Sequence, residues 1–159
     1  MAVDAGLGEM GRNGILITDK YGPRVRLCKV FTDLPLVHDK PVDLGVQAFC
    51  EVCGKCATHC PSQALKHGER TAEHNNISNN VNLLKWQVDA EHCIQWWTKN
   101  RSHCTNCIRI CPFNKKDTLF HRFVKALVTY FPLFNSFYLK MDDWVGYGRQ
   151  VLGDPKDEF

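Results

Sequence analysis

Eight of the nine cysteines in this 159-residue chain fall into two sets, and each set ends in a Cys-Pro pair. The first set has the spacing C-x2-C-x2-C-x3-C-P and the second has C-x10-C-x2-C-x3-C-P. Short spacers let successive thiolates converge on one small inorganic cluster, and soft anionic thiolate suits iron-sulfur chemistry. The two sets are Cys50, Cys53, Cys56 and Cys60, then Cys93, Cys104, Cys107 and Cys111. They predict two four-iron clusters and, with them, a role in electron transfer.

The last cysteine of each set is predicted to serve the other cluster. In two-cluster ferredoxins this cysteine, which precedes proline, lies too far along the turn to join its own set. Cluster site 1 is therefore assigned to Cys50, Cys53, Cys56 and Cys111, and cluster site 2 to Cys93, Cys104, Cys107 and Cys60. The ten-residue spacer after Cys93 departs from the compact pattern and predicts an inserted loop over 94–103.

Zinc and disulfides are the two other uses of such cysteines. Structural zinc also uses C-x2-C pairs, but three cysteines at consecutive x2 spacing followed by Cys-Pro fit a tetrahedral zinc ribbon poorly. A disulfide framework is typical of cysteine-rich secreted domains, whereas C-x2-C bridges are strained and no signal peptide precedes this sequence. Iron-sulfur binding is favoured over both. Cys28 lies outside the two sets, and we expect it to be a small, partly buried side chain.

Length and charge narrow the functional classes. A chain of 159 residues has room for one ordinary domain, or for a cluster-binding domain with a partial second one. The net charge of +3 is balanced and the basic residues form no run, which argues against a nucleic-acid partner. The sequence has no apolar run long enough to span a membrane and no twin-arginine or apolar export segment, so as written it is expected in the cytoplasm.

The pattern along the chain predicts an α+β protein. Closely spaced glycines precede a short apolar strand, and residues 24–31 alternate as a second strand with Arg24 and Arg26 on one face. Pro61 follows Cys60 at a position that suits the first turn of a helix. A short helix is expected to lead into the first cysteine set. Apolar residues at helical intervals over 117–131 predict an amphipathic helix.

Several tracts outside the cysteine sets carry a family resemblance. They are AGLGEMGR at 5–12, YGPRVRL at 21–27, VFTDLPL at 30–36, MDD at 141–143 and GYG at 146–148. Together with the two cysteine sets, they resemble the C-terminal part of a corrinoid-dependent reductive dehalogenase. The cysteine sets alone are shared with many ferredoxin-like proteins, whereas the tract over 21–36 and the closing MDD segment are more discriminating.

This resemblance implies a domain organisation and an activity. A ferredoxin-like two-cluster domain would occupy 46–116, with a remnant of the corrinoid-binding α/β domain at 1–45 and a helical C-terminal extension at 117–159. The parent protein would be an oxidoreductase of organohalide respiration. Electrons would pass through the two [4Fe-4S] clusters to the cobalt of a corrinoid (cobamide), where halide is replaced by hydrogen.

The resemblance also implies site residues beyond the cysteines. By analogy with the family, the corrinoid pocket is bordered by Gly6, Gly8, Gly11, Tyr21, Arg24 and Arg26. Two roles suit the arginines, which are the candidate catalytic residues: they would hold anionic side groups of the corrinoid or stabilise the departing halide.

The family further implies partners and a cellular location. The partners are an organohalide substrate, an electron donor and a small membrane-anchor subunit, and export follows the twin-arginine route to the outer face of the cytoplasmic membrane. Because family members extend much further upstream, we expect this chain to be a gene fragment that binds clusters but neither retains a corrinoid nor dehalogenates alone.

Two other functions remain open from the sequence. Epoxyqueuosine reductase, a tRNA-modifying enzyme, also couples a cobamide to two such clusters and has a similar glycine-rich tract. A stand-alone two-cluster ferredoxin needs no corrinoid, but it would leave the first forty residues unexplained.

Overall fold

The computed structural model describes residues 1–73 and 76–147. Its elements are β1 (Glu9–Met10), β2 (Leu16–Ile17), α1 (Val46–Cys53), α2 (Lys55–Thr58), α3 (Ala90–Asn100), α4 (Asn106–Arg109), α5 (Leu119–Tyr130), a 3-10 turn (Pro132–Phe134) and α6 (Asn135–Trp144). The two strands pair antiparallel, with Glu9 opposite Ile17 and Met10 opposite Leu16. This mixture of helix and strand agrees with the predicted α+β class. None of the helices within these ranges is long and apolar enough to cross a lipid bilayer.

A small apolar core joins the N-terminal strands to the helices. Its buried members are Ile17, Val46, Phe49, Cys50, Trp86, Cys111, Phe113, Val128 and Tyr138. The rings of Phe49 and Phe113 meet edge to face, with centroids 5.4 Å apart. Since Cys50 and Cys111 belong to this core, the hydrophobic packing of the protein and the placement of its thiols depend on the same residues.

Helix α1 places the first cysteines. Before it, the buried carboxylate of Glu9 accepts hydrogen bonds from the backbone N–H groups of Leu44 at 2.7 Å and Val46 at 3.0 Å. The apolar residues of α1 then recur at helical spacing, so that Cys50 faces the core and Cys53 ends the helix. The short helix predicted before the first cysteine set therefore runs into the set itself.

The predicted strand over 24–31 is wrong. These residues form neither helix nor strand, and Val30 and Phe31 are 81% and 94% exposed. A strand needs a neighbour that accepts its backbone hydrogen bonds, and the described part of the chain offers none to this segment. Cys28 lies in the same segment and is exposed, not partly buried as predicted.

Two further local predictions fail around the cluster sites. No helix follows Pro61, because Gln63 adopts a left-handed backbone conformation with φ of 54°. The region over 94–103 is mostly helix and not an inserted loop. Helix α3 begins after Asp89, whose side chain accepts a hydrogen bond from the backbone N–H of His92, and it continues to Asn100.

Helices α5 and α6 close the structure on one side of α1. Helix α5 lies within the predicted range 117–131 and begins after Thr118, whose hydroxyl accepts a hydrogen bond from the backbone N–H of His121. Both helices contact α1. The last part of the predicted C-terminal extension, 148–159, lies outside the described residues, as does Gly148 of the GYG tract.

One carboxylate on α6 binds two lysines from the cysteine-bearing segments. Oδ2 of Asp142 lies 2.5 Å from Nζ of Lys55, and Oδ1 lies 2.9 Å from Nζ of Lys115. Lys55 also contacts Asp143 at 2.7 Å. Lys55 stands between Cys53 and Cys56, and Lys115 follows Cys111, so this ion-pair network ties α6 to both segments that supply cluster site 1.

Asp142→Asn is expected to destabilise the protein strongly. Lys115 would lose its carboxylate partner and Lys55 one of two, and breaking a buried pair costs about 3–5 kcal/mol. Asp143→Asn is the matched control, because the side chain of Asp143 is 55% exposed and Lys55 keeps Asp142; a loss of about 0–1 kcal/mol is expected. Urea unfolding of both variants measures the difference. Equal losses would contradict the central role of Asp142.

Gly22→Ala is expected to weaken the contact between the N-terminal segment and the second cysteine set. Gly22 has φ of +57°, and an added Cβ would lie 2.1 Å from the carbonyl oxygen of Phe113. The left-handed conformation costs alanine about 1–2 kcal/mol, and overpacking adds about 1–3 kcal/mol. Gly146→Ala is the control, since its φ is +88° but its Cβ would meet no atom within 4 Å. Urea unfolding should show a larger loss for Gly22→Ala.

Candidate iron-sulfur centre

Cluster site 1 is a cavity in the core. It is lined by all four predicted thiols, Cys50, Cys53, Cys56 and Cys111, together with Arg12, Asn13, Ile17, Phe49, Gly54, Pro112 and Phe113. The thiol of Cys111 interacts electrostatically with those of Cys50, Cys53 and Cys56. The structure thus brings the last cysteine of the second set to the first three of the first set, as the crossover pattern requires.

Cluster site 2 lies closer to solvent. The thiol of Cys107 on α4 interacts with those of Cys104, Cys60 and Cys93. Cys93 occupies the first turn of α3, and Cys60 follows α2. All four side chains are half-buried, whereas Cys50 and Cys111 in cluster site 1 are buried. Cluster site 2 is therefore more accessible to water than cluster site 1.

The two sites adjoin each other through α2 and α4. These short helices contact one another, and they carry Cys56 and Cys107. The thiols of Cys56 and Cys107 also interact electrostatically, across the boundary between the sites. The two sites are therefore neighbours in the fold.

Burial makes the thiols of cluster site 1 poor anions in the absence of a cation. Burial is the main cause that raises the pKa of Cys50 to about 12, and burial together with the neighbouring thiols raises the pKa of Cys56 to about 12. The pKa of Cys111 is raised by burial as well. In cluster site 2, burial and the neighbouring thiols raise the pKa of Cys107 to about 11. Deprotonation of all these groups requires a bound positive charge, which iron supplies.

Backbone N–H groups are directed at several sulfurs. The N–H groups of Arg12, Lys55 and Phe113 favour the thiolates of Cys50, Cys53 and Cys111 in that order. At Cys60 burial raises the pKa, but it is outweighed by the Ser62 hydroxyl and by the N–H groups of Ser62, Ala64 and Leu65, so the pKa is lowered. The left-handed turn at Gln63 replaces the predicted helix and leaves these N–H groups free to meet the sulfur.

The donor set fits two four-iron clusters. All nine cysteines are free thiols, so no disulfide competes for the eight that are grouped. Within 1–73 and 76–147, no three His, Cys, Asp or Glu side chains are close enough to share a single metal ion. That finding concerns one ion; a four-iron cluster has four iron atoms and four cysteine ligands, so its thiolates stand apart from one another.

The three glycines assigned to the corrinoid pocket pack against the chain itself. A Cβ at Gly6 would lie 2.4 Å from the carbonyl oxygen of Lys40, and one at Gly8 would lie 2.2 Å from that of Ile17. At Gly11 it would meet the Ile17 side chain at 2.6 Å. On its Cβ side, each glycine is therefore approached closely by other residues of this chain.

The remaining corrinoid candidates are exposed. The ring of Tyr21 is 54% exposed, and the ammonium of Lys20 lies 5.4 Å from its centroid. Arg24 donates a hydrogen bond to the carbonyl oxygen of Lys115 at 3.1 Å, and Arg26 is exposed. The structure does not bring the two guanidiniums together at a shared partner.

Sequence reasoning missed Arg12 and Lys55. Both residues are buried, at 4% and 7% exposure. Arg12 lines cluster site 1, and the charge of Lys55 acts on Cys53. Their positions along the chain gave a signal: Lys55 lies inside the second C-x2-C spacer, and Arg12 is the last residue of the glycine-rich tract. Neither has a periodic partner that would mark it as buried.

The segment that carries the eight grouped cysteines is similar to a known domain family. Residues 49–114 match the 4Fe-4S double cluster binding domain. Over 162 aligned residues the chain is 46% identical to the tetrachloroethene reductive dehalogenase of Desulfitobacterium hafniense, covering 99% of this chain and 29% of that protein. It therefore spans under a third of the length of this relative.

A solved structure and a second enzyme complete the comparison. A reductive dehalogenase whose structure suggests a mechanism for B12-dependent dehalogenation superposes with a TM-score of 0.80 and 32% identity, covering 93% of this chain and 21% of that one. The epoxyqueuosine reductase of Lactococcus garvieae is 28% identical, covering 72% of this chain and 31% of that protein. The sequence identity and the share of this chain that is covered are both higher for the reductive dehalogenases than for the epoxyqueuosine reductase. The chain belongs to the reductive dehalogenases.

Proposed function

We propose that this chain binds two [4Fe-4S] clusters and relays electrons, one at a time, to a corrinoid cobalt during reductive dehalogenation of an organohalide. The observation that carries the proposal is the grouping of eight thiols into two adjoining sets of four. The clusters supply one-electron transfer when bound, and the corrinoid of the whole protein supplies the carbon-halogen chemistry.

The residues of the chain have separate tasks in this relay. Eight cysteines hold the irons, with Cys60 and Cys111 crossing between the sets. Backbone N–H groups such as that of Phe113 stabilise negative charge on sulfur. Phe49 and Phe113 shield cluster site 1 from water. The contact between α2 and α4, the helices that carry Cys56 and Cys107, supports electron exchange between the two sites.

The corrinoid side of the proposal rests on the N-terminal segment. We assign 1–45 to a corrinoid-binding domain, 46–116 to the two-cluster domain and 117–159 to a C-terminal extension. Arg12, Asn13 and Ile17 form part of the wall of cluster site 1, so this site adjoins the glycine-rich tract. Pocket contacts are proposed for Gly6, Gly8, Gly11, Tyr21, Arg24 and Arg26, with the two arginines as catalytic candidates.

The activity and partners of the whole protein are part of the same proposal. Its substrate would be an organohalide, because the relative from Desulfitobacterium hafniense is a tetrachloroethene reductive dehalogenase. An electron donor, a small membrane-anchor subunit and export by the twin-arginine route complete the assignment.

The cysteine assignment is tested by iron analysis and low-temperature electron paramagnetic resonance after anaerobic reconstitution. About eight irons per chain are expected from two four-iron clusters. Cys111→Ala should remove the signal of the cluster that depends on Cys50, and Cys60→Ala that of the cluster that depends on Cys93. Cys28→Ala is the matched control, because this thiol is exposed and lies outside both sites. Loss of the cluster from the mutated cysteine's own set would refute the crossover.

The relay is tested in a chimera. This chain replaces the matched 29% of the Desulfitobacterium hafniense enzyme, and chloride release from tetrachloroethene is measured with a chemical reductant. We expect release, and we expect Cys60→Ala in the chimera to abolish it because the relay is interrupted. Release that survives Cys60→Ala would contradict a relay through both clusters. Failure of the chimera to acquire eight irons would count against the cluster assignment itself.

A further inference from the structure

Arg12 is a buried cation whose partners in the protein are all neutral. Its Nε and Nη2 donate to the carbonyl oxygen of Cys50 at 3.1 and 2.9 Å, and its Nη1 donates to those of Lys66 and Gly68 at 3.0 Å each. The guanidinium also lies 4.6 Å from the centroid of the Trp86 ring. Among the residues that the structure describes, no carboxylate lies within ion-pair distance of it.

The same arginine lines cluster site 1. It forms part of the cavity wall together with the four thiols, and its charge acts on those of Cys50, Cys53 and Cys56. Two other cations lie beside this site, Lys55 and Lys115, and they are neutralised by the carboxylates of Asp142 and Asp143. Arg12 is therefore a net positive charge that faces the thiols.

Two acidic residues nearby act in the opposite sense: Glu9 acts on Cys50, and Asp142, which is paired with Lys55 and Lys115, acts on Cys53. Glu9 is buried and also influences Cys50, but less strongly than Arg12 does. Its carboxylate accepts hydrogen bonds from the N–H groups of Leu44 and Val46 at the start of α1, and these disperse its charge. At Cys50, the influence of the Arg12 charge therefore exceeds that of Glu9.

A buried charge is costly unless an opposite charge is near. We propose that Arg12 is the counter-charge of the anionic cluster in site 1, and that it raises the reduction potential of this cluster. The inference deepens the proposed function, since it requires the cluster to be bound by Cys50, Cys53, Cys56 and Cys111. Arg12 acts as a positioning and tuning residue and is not an iron ligand.

The need for such a charge follows from burial. Reduction adds one electron from an external reductant to a cluster that already carries four thiolates, with no proton or ligand exchanged. Burial of Cys50 and Cys111 makes this added charge unfavourable. A fixed guanidinium offsets that cost. In cluster site 2 the main electrostatic neighbours of Cys93 and Cys107 are other thiols, and the side chains are closer to water.

The test is a redox titration of the anaerobically reconstituted chain, followed by electron paramagnetic resonance. The two reduction steps are assigned to sites with the Cys60→Ala and Cys111→Ala variants. Arg12→Gln should lower the equilibrium constant for reduction at cluster site 1 at least tenfold, which is about 59 mV for one electron. The step at cluster site 2 should not move. Arg12→Lys keeps the charge, so the equilibrium constant for reduction at cluster site 1 should stay close to that of the unaltered chain.

Arg70 provides a matched control. Its guanidinium lies 5.6 Å from the centroid of the same Trp86 ring, but it is paired with Glu51 at 3.1 Å and is partly exposed. Arg70→Gln removes a neighbouring arginine without removing an unpaired charge. Both reduction steps of this variant should match those of the unaltered chain.

Each other outcome decides the inference. Retained clusters with an unchanged potential in Arg12→Gln would overturn it, as would equal shifts in Arg12→Gln and Arg12→Lys. Loss of the site 1 cluster from Arg12→Gln alone would support a need for the charge. Loss from both variants would assign Arg12 to holding the Cys50, Lys66 and Gly68 carbonyls, against the proposal. An unaltered chain without iron would refute the proposed function, and this inference with it.

Discussion

The burial of thiols in the hydrophobic core is the constraint on which the rest of this structure depends. Cys50 and Cys111 pack beside Phe49 and Phe113, so the groups that would hold iron also fill the centre of the protein. Two of the nine buried members of this core are these cysteines. Metal binding and folding are coupled wherever the ligands are brought together only by the fold. In this chain the two processes share their central residues.

Charge around the thiols is arranged in two different ways. Lys55 and Lys115 converge on Asp142, and Lys55 also binds Asp143, so this network is neutral and fixes α6 against the cysteine-bearing segments. Within 1–73 and 76–147, every side-chain hydrogen bond of Arg12 goes to a backbone carbonyl, and its charge is left to act on cluster site 1. One set of buried charges is thus structural and the other electrostatic. The discriminating MDD tract of the C-terminal segment acquires a physical role from the first set.

The local predictions that failed rested on sequence patterns alone and took no account of tertiary contacts. Alternation over 24–31 indicated a strand, but no described segment of the chain offers this stretch a hydrogen-bonding neighbour. Pro61 suited a helix start, but Gln63 turns the chain so that backbone N–H groups meet the Cys60 sulfur. The spacer after Cys93 suggested a loop, whereas the helix that begins after Asp89 continues through most of this spacer. Each outcome depends on contacts that a periodic pattern does not contain.

Cysteine spacing alone predicted two groups of four thiols and the kind of inorganic cluster that they suit. The reason is that a spacer of two or three residues limits how far successive sulfurs can separate. The spacing also indicated the crossover through the two Cys-Pro pairs. Only the tertiary structure decided that Arg12 and Lys55 are buried beside cluster site 1, and that Asp142 lies against Lys55. These contacts join residues distant in sequence, and their electrostatic effect depends on burial, which the folded chain alone defines.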